Sequence, residues 1–371
     1  MERILNYKLT LEVLGPLFIG SGNEVSKSEY IHDRKNNKIY VMNPLKMFKG
    51  LNEINLLNEY QKGIIKESRR FNLSAFAKNF EVSKNDYMKW ADYSFDTPPN
   101  GDFSKAHISA FIKDAYNMPY IPGSSIKGAI KNAYLNALLI RSDKFSDLAK
   151  DVERAYFSDR DRTRYMAFEE KEINVRALHT LKRPDIEKED ILNDMFCGLR
   201  ISDSQPLSLG NIILCEKQDI LPTRKMNKPH VQRECLKPET KVVFDVEIDT
   251  KIFKYSGEKL AKIVNLMYNN INEVFLSHFN CNVKKEKGNL LYVGGGAGFL
   301  SKTVIYSLFK EKQRAVRVAS EILDNTDSKK KTGKHKSDPI EYGISPHTRK
   351  CTTYQGRLYD FGLCRIDFQP M

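Results

Sequence analysis

Tyr120-Ile-Pro-Gly-Ser-Ser-Ile-Lys-Gly-Ala-Ile-Lys131 joins a sharp turn to a helix. Pro122 and Gly123 punctuate the chain. Ser124 or Ser125 is placed to cap the free amides of the first helical turn. Ile126, Ile130, Ala133 and Ala137 then recur at helical spacing. Lys127 and Lys131, four residues apart, share a face beside that stripe. A cation near a helix N-terminus opposes the helix dipole. It is better placed if an anion sits there too, held by backbone N–H groups, serine hydroxyls and lysine together. Phosphate is the obvious anion; the alternative is a serine-capped helix with a solvated lysine.

Outward from this helix the chain mixes strands and helices. Tyr7–Leu14 alternates as a strand does and ends at Gly15-Pro16. Ile39–Met42 reads as a second short strand, and residues 45–90 are mostly helical in pattern. Phe196–Asp203 and Gly210–Cys215 look like core strands. Lys241–Asp249 alternates well and opens what reads as a second unit. A helical stretch from about 257 to 279 follows, then a strand at Leu290–Val293 and a closing strand at Gly362–Phe368. The expected fold class is α+β: two units, 1–238 and 239–371, each with helices on one sheet face. Residues 51–100 and 141–194 read as insertions, the latter crowded with charges of both signs and exposed. Thr326–Lys336 holds five lysines and is assigned no structure.

The 371 residues carry a formal net charge of +13 and 41% hydrophobic residues. That allows a real core and points first to a polyanionic partner, nucleic acid ahead of membrane. A lysine-rich solvated surface is the plainer account. No stretch reaches the roughly 18 apolar residues of a membrane span, and the first 20 residues read as a strand rather than a signal peptide. Six cysteines without a CxxC pair suit buried, reduced thiols in a cytosolic protein.

Gly294-Gly-Gly-Ala-Gly-Phe-Leu-Ser-Lys-Thr303 invites a nucleotide-binding reading and fails it. A P-loop needs glycine before Lys302, where Ser301 stands. The dinucleotide fingerprint needs glycine at 299, where Phe299 stands. What remains is a glycine run, Gly294, Gly295 and Gly296, that lets another backbone come close, with Lys302 just beyond; a tight loop between packed elements is the alternative. Ser345-Pro-His-Thr-Arg-Lys350, with Tyr354, Arg357 and Tyr359, mixes cations and aromatics as phosphate pairing and base stacking require. It also reads as a charged loop before a closing strand. Catalytic signals are poor. His32 beside Asp33, His107 and His347 are isolated; Asp159 and Asp161 lie among arginines; Asp203, at a strand end, has no visible partner. No cofactor or metal set is expected.

Four blocks, Leu14–Gly22, Ile121–Gly128, Gly294–Thr303 and Gly362–Asp367, come in the order seen in RAMP proteins of CRISPR systems. The chain most resembles the family of fifth Csm subunits of type III-A effector complexes. The resemblance implies ferredoxin-like, RNA-recognition-motif-like units. It implies a non-catalytic subunit in antiviral defence that caps the guide RNA near its 3′ end and supports maturation of that end. Implied partners are backbone RAMP subunits, the small helical subunit and a host nuclease. Residue reading and resemblance together place guide phosphates on Ser124, Ser125, Lys127 and Lys131, with Gly294–Gly296 and Lys302 as a second contact and Arg349 and Lys350 as a third. The competing expectation is a metal-independent RAMP endoribonuclease using His32 or His107.

Overall fold

The computed structural model describes residues 3–158, 167–326 and 333–371. Asp159, Asp161 and most of the lysine-rich run lie outside them. The first sheet is built from β1 (Ile4–Val13), β2 (Leu199–Ile201), β3 (Lys241–Asp249), β4 (Leu290–Tyr292) and β5 (Leu363–Pro370). Between them in the chain run α1 (Gly123–Arg141), which follows β1, and α2 (Gly257–Val274), which follows β3. The spatial order is β4-β5-β1-β3-β2, antiparallel throughout. With edge strand β4 set aside, β1-α1-β2-β3-α2-β5 is a βαββαβ unit of ferredoxin-like type. Residue 238 falls just before β3, and strands from both sides of it interleave in this sheet.

Period-two alternation decides which face is covered. Leu9, Leu11 and Val13 of β1 and Val242, Phe244 and Val246 of β3 are buried under Ile126, Ile130 and Ala133 of α1 and Leu260, Val264 and Met267 of α2. Each large side chain so buried contributes about 1.5–3 kcal/mol. The opposite face is polar and bound by cross-strand ion pairs: Lys8–Asp245, Arg200–Glu247 and Glu12–Arg365.

A seven-stranded mixed sheet runs, in spatial order, through Gly20–Val25, Ile108–Phe111, Gln232–Leu236, Ile212–Glu216, Ala91–Asp96, Lys38–Met42 and Tyr30–Asp33. A four-stranded sheet joins Met226–Asn227, Gln218–Ile220, Arg349–Tyr354 and Arg357–Asp360. The helices between 44 and 90 pack around a small core of their own, with Leu51, Tyr60, Phe71, Phe76 and Trp90. Residues 141–194 correct the expectation of an exposed excursion. Ser146–Ser158 and Ala167–Leu178 are amphipathic helices. They bury Leu148, Val152, Ile173 and Leu178 in the main core, so the described charges on these two helices lie on their outer faces. All six cysteines are free thiols; Cys197 is exposed and Cys281 partly so, against the expectation of uniform burial. Among the described residues no helix is long and apolar enough to cross a membrane.

Candidate nucleic-acid interface

α1 begins at Gly123 without a side-chain cap from either serine. Asp203, just past β2, takes that role from outside the helix: its Oδ1 accepts from the Gly123 N–H at 2.8 Å. A carboxylate there also complements the helix dipole. A Cβ at Gly123 would lie 2.1 Å from the Ile201 carbonyl oxygen, so only glycine lets the helix dock this closely on β2. With capping done elsewhere, the Ser124 and Ser125 hydroxyls are left to face a groove of about 460 Å³.

The groove's other wall is the glycine run. Gly295 donates its N–H to the Phe18 carbonyl at 3.0 Å. Gly294 has φ +79°, and a Cβ on it would stand 2.2 Å from that same oxygen. Gly296 packs against Phe361 in the same way. Gly294 and Gly296 are therefore glycines for internal packing, while Gly295 is exposed at the groove. Beyond them Lys302 is exposed and lines the groove with Gly20 and Gly128. Among the lining residues Lys302 is the one cation, and there is no carboxylate. Two asparagines of α1 lock the walls together. Asn132 donates to the Ser301 carbonyl at 2.9 Å and buried Asn136 to the Thr303 carbonyl at 3.1 Å. Asn136 also accepts from the Ser307 hydroxyl at 2.6 Å. Residues from the blocks at 14–22, 121–128 and 294–303 thus meet in one acid-free groove.

Comparison with known proteins bears on the family and the fold. The RAMP superfamily pattern matches residues 10–364. The chain belongs to the RAMP superfamily. Similar relatives are "CRISPR system Cms protein Csm5" of Mycobacterium tuberculosis strain H37Rv, 25% identical over 98% of this chain and 97% of the relative, and its namesake in Streptococcus thermophilus, 27% identical over 92% and 88%. The resemblance to fifth Csm subunits is thereby borne out. Among solved structures, a chain of a "Csm-crRNA-target RNA ternary complex in type III-A CRISPR-Cas system" superposes with TM-score 0.69 at 20% identity, over 97% of this chain and all of that one. The crystal structure of "T.onnurineus Csm5" superposes with TM-score 0.61 at 18% identity, over 96% and 99%. Both show the fold.

Several cations singled out from this RAMP sequence lie elsewhere. Lys131 is paired with Asp194 at 2.5 Å. Lys127 does not line the groove. It is half-buried beside Asp194, Cys197 and Arg200, and burial pulls its pKa down against the pull of Asp194. Arg349 is buried in a two-pronged pair with Asp360, at 2.6 and 2.7 Å. Lys350 pairs with Asp219 at 2.9 Å, and burial lowers its pKa as well. Tyr354 and Tyr359 face each other across their hairpin, ring centroids 6.3 Å apart. His32 is buried, and its Nδ1 accepts from the Phe103 N–H at 3.3 Å; burial lowers its pKa. His347 is tied to Asp338 at 2.6 Å. His107 is exposed.

The polar face of the ferredoxin-like sheet bears Asn6, Lys8, Thr10, Glu12, Lys241, Val243, Asp245, Glu247, Arg365, Asp367 and Gln369. An RNA-recognition motif stacks bases on aromatics at this face. Among the residues just named there is no aromatic, and the four carboxylates outnumber the three cations. The glycine groove is the better place for a polyanion.

Sequence reading singled out Asp203 without its partner and missed Asn132 and Asn136. The Asn132/Asn136 spacing of four on α1 was a usable signal; nothing local ties Asp203 to Gly123.

Proposed function

We propose that this chain is a non-catalytic guide-RNA-binding subunit of a type III-A CRISPR (Csm) interference complex. In this reading it caps the 3′ end of the guide and supports its maturation, in cytoplasmic antiviral defence. One observation carries the reading: three blocks far apart in sequence converge on a groove whose described lining residues offer exposed backbone, two serine hydroxyls without a partner there, a lysine and no acid. Such a surface suits phosphates and reads no bases, which a guide of variable sequence requires. The Csm5 names of the relatives and the RNA-bound complex among the structural neighbours support it. Partners on this reading are the guide, backbone RAMP subunits, the small helical subunit and a host nuclease.

The test is to co-express the chain with its genomic neighbours, purify the assembly and sequence the RNA ends, with and without the chain. Guide 3′ ends that change from a defined set to ragged or longer species would support the capping role. Identical ends would refute it. Loss of cut repeats would promote the endoribonuclease alternative. For that alternative the exposed His107 is better placed than the buried His32, and His107→Ala tests it directly.

A further inference from the structure

We propose that Arg233 supplies a further contact to an RNA phosphate at the rim of the glycine groove, from a strand outside all four motif blocks. The inference rests on the RNA-binding reading and deepens it. Arg233 lies on the strand Gln232–Leu236 of the seven-stranded sheet. Its guanidinium carbon is 5.2 Å from the centroid of the Phe18 ring and 5.7 Å from that of Phe361. Phe18 is the groove's neighbour: its carbonyl accepts from Gly295, and its ring lies 3.4 Å from where a Gly295 Cβ would stand. Phe18 is therefore the shared neighbour of the guanidinium and the exposed glycine.

Arg233 has no ion-pair partner among the described residues. Its Nε and Nη1 are buried with no acceptor there, which leaves Nη2 as the nitrogen open to a ligand. Asp219, a carboxylate whose charge reaches it, is claimed by Lys217 at 3.4 Å and Lys350 at 2.9 Å. The adjacent Glu234 serves Lys113, Tyr93 and the Phe111 N–H. Leaving a guanidinium partly buried and unpaired is costly. Cation–π contact with Phe18 and Phe361 recovers part of that cost. A planar guanidinium held this way is pre-organised for phosphate. The structural alternative is that its stem caps the apolar cluster of Ile213, Cys215, Cys235 and Phe361.

Fluorescence anisotropy with a short labelled single-stranded RNA of mixed sequence, titrated over a salt series, separates the two. Full-length wild type, Arg233→Met, Arg233→Lys and Lys302→Ala are compared, each with a thermal melt. Arg233→Met should weaken binding about tenfold and flatten the salt slope by about 0.7, one phosphate's worth on a single strand. Arg233→Lys should keep the slope and lose part of the affinity, because the planar guanidinium is gone. Wild-type affinity and slope in Arg233→Met, with Lys302→Ala weakened, would reduce Arg233 to a cap on the apolar cluster and overturn the proposal. No effect from either variant would sink the groove reading itself. Should the methionine variant not fold, Arg233→Gln keeps a planar polar group over Phe18 without the charge and faces the same two outcomes.

Discussion

The groove beside α1 and the hairpin at 349–360 look alike in sequence: each sets lysine or arginine among glycines, aromatics and small polar residues. In the structure they differ. Two of the hairpin's cations are spent internally, Arg349 on Asp360 and Lys350 on Asp219, and of its cations Arg357 alone is left exposed. The groove's Lys302 enters no ion pair found among the described residues, although Glu170 lines the adjoining cavity with it. A basic cluster is thus not a binding surface by composition. What matters is whether a carboxylate elsewhere in the chain has already claimed the charge.

The hardest blow to this comparison would come from the hairpin. Arg349→Ala leaves Asp360 buried with the Tyr292 hydroxyl at 3.1 Å and the weaker Cys351 thiol at 3.7 Å as side-chain donors. We expect a loss of about 3–5 kcal/mol in chemical denaturation. A variant that is as stable as wild type but binds RNA poorly would make the hairpin an interface after all. Acid should loosen the neighbouring segment next. Asp338 is fully buried; desolvation raises its pKa, but hydrogen bonds from His335, His347 and Ser345 outweigh this and hold it below the usual value. Its stabilisation is therefore present in full above the unfolded pKa of roughly 3.9 and is lost as pH falls through the lower folded value. Hydrogen exchange across 333–347 should rise below about pH 4 in wild type. In Asp338→Asn it should be high already at neutral pH, and an acid response identical in the two proteins would remove Asp338 as its cause.

Two glycines sharpen the contrast within the groove. Gly294→Ala combines a positive φ with a 2.2 Å approach to the Phe18 oxygen. It should cost about 1–3 kcal/mol in a thermal melt, whatever the RNA does. Gly128 lies inside α1, exposed, with nothing within 4 Å of where a Cβ would stand. Internal packing gives no reason for it, and glycine costs a helix about 1 kcal/mol relative to alanine. Gly128→Ala should therefore raise stability by about that amount while lowering RNA affinity. Higher stability with unchanged affinity would mean that no ligand backbone passes there.

Much of this was legible before the fold. Glycine and proline punctuation marked the blocks, and period-two alternation marked β1 and β3, because both are local properties of backbone and burial. Pairing was not local. Lys131 meets an acid 63 residues away and Lys350 one 131 residues away, so no window of sequence displays either neutralisation. The Gly123 cap failed as a reading for the same reason: Asp203 is 80 residues on. The strand at Lys241 was read correctly as a strand and taken to open a new unit, yet it pairs with β1 over nine registers from Ile4–Asp249 to Glu12–Lys241. Register of that range is set by the whole core.

The smallest expected effect isolates the free lysine. Lys302 is exposed and lies outside every ion pair found among the described residues. Its removal should leave the melting temperature within the ordinary scatter of surface substitutions, about 0.5 kcal/mol. In RNA binding, Lys302→Ala should reduce the salt slope by about 0.7 and the affinity severalfold. Lys350→Ala is the matched control, since it takes away one positive charge from a cation already paired with Asp219. It should lower stability by uncovering that acid and leave the slope unchanged. Equal slopes for the two variants would mean that net charge alone governs binding, and the distinction between claimed and unclaimed cations would fall.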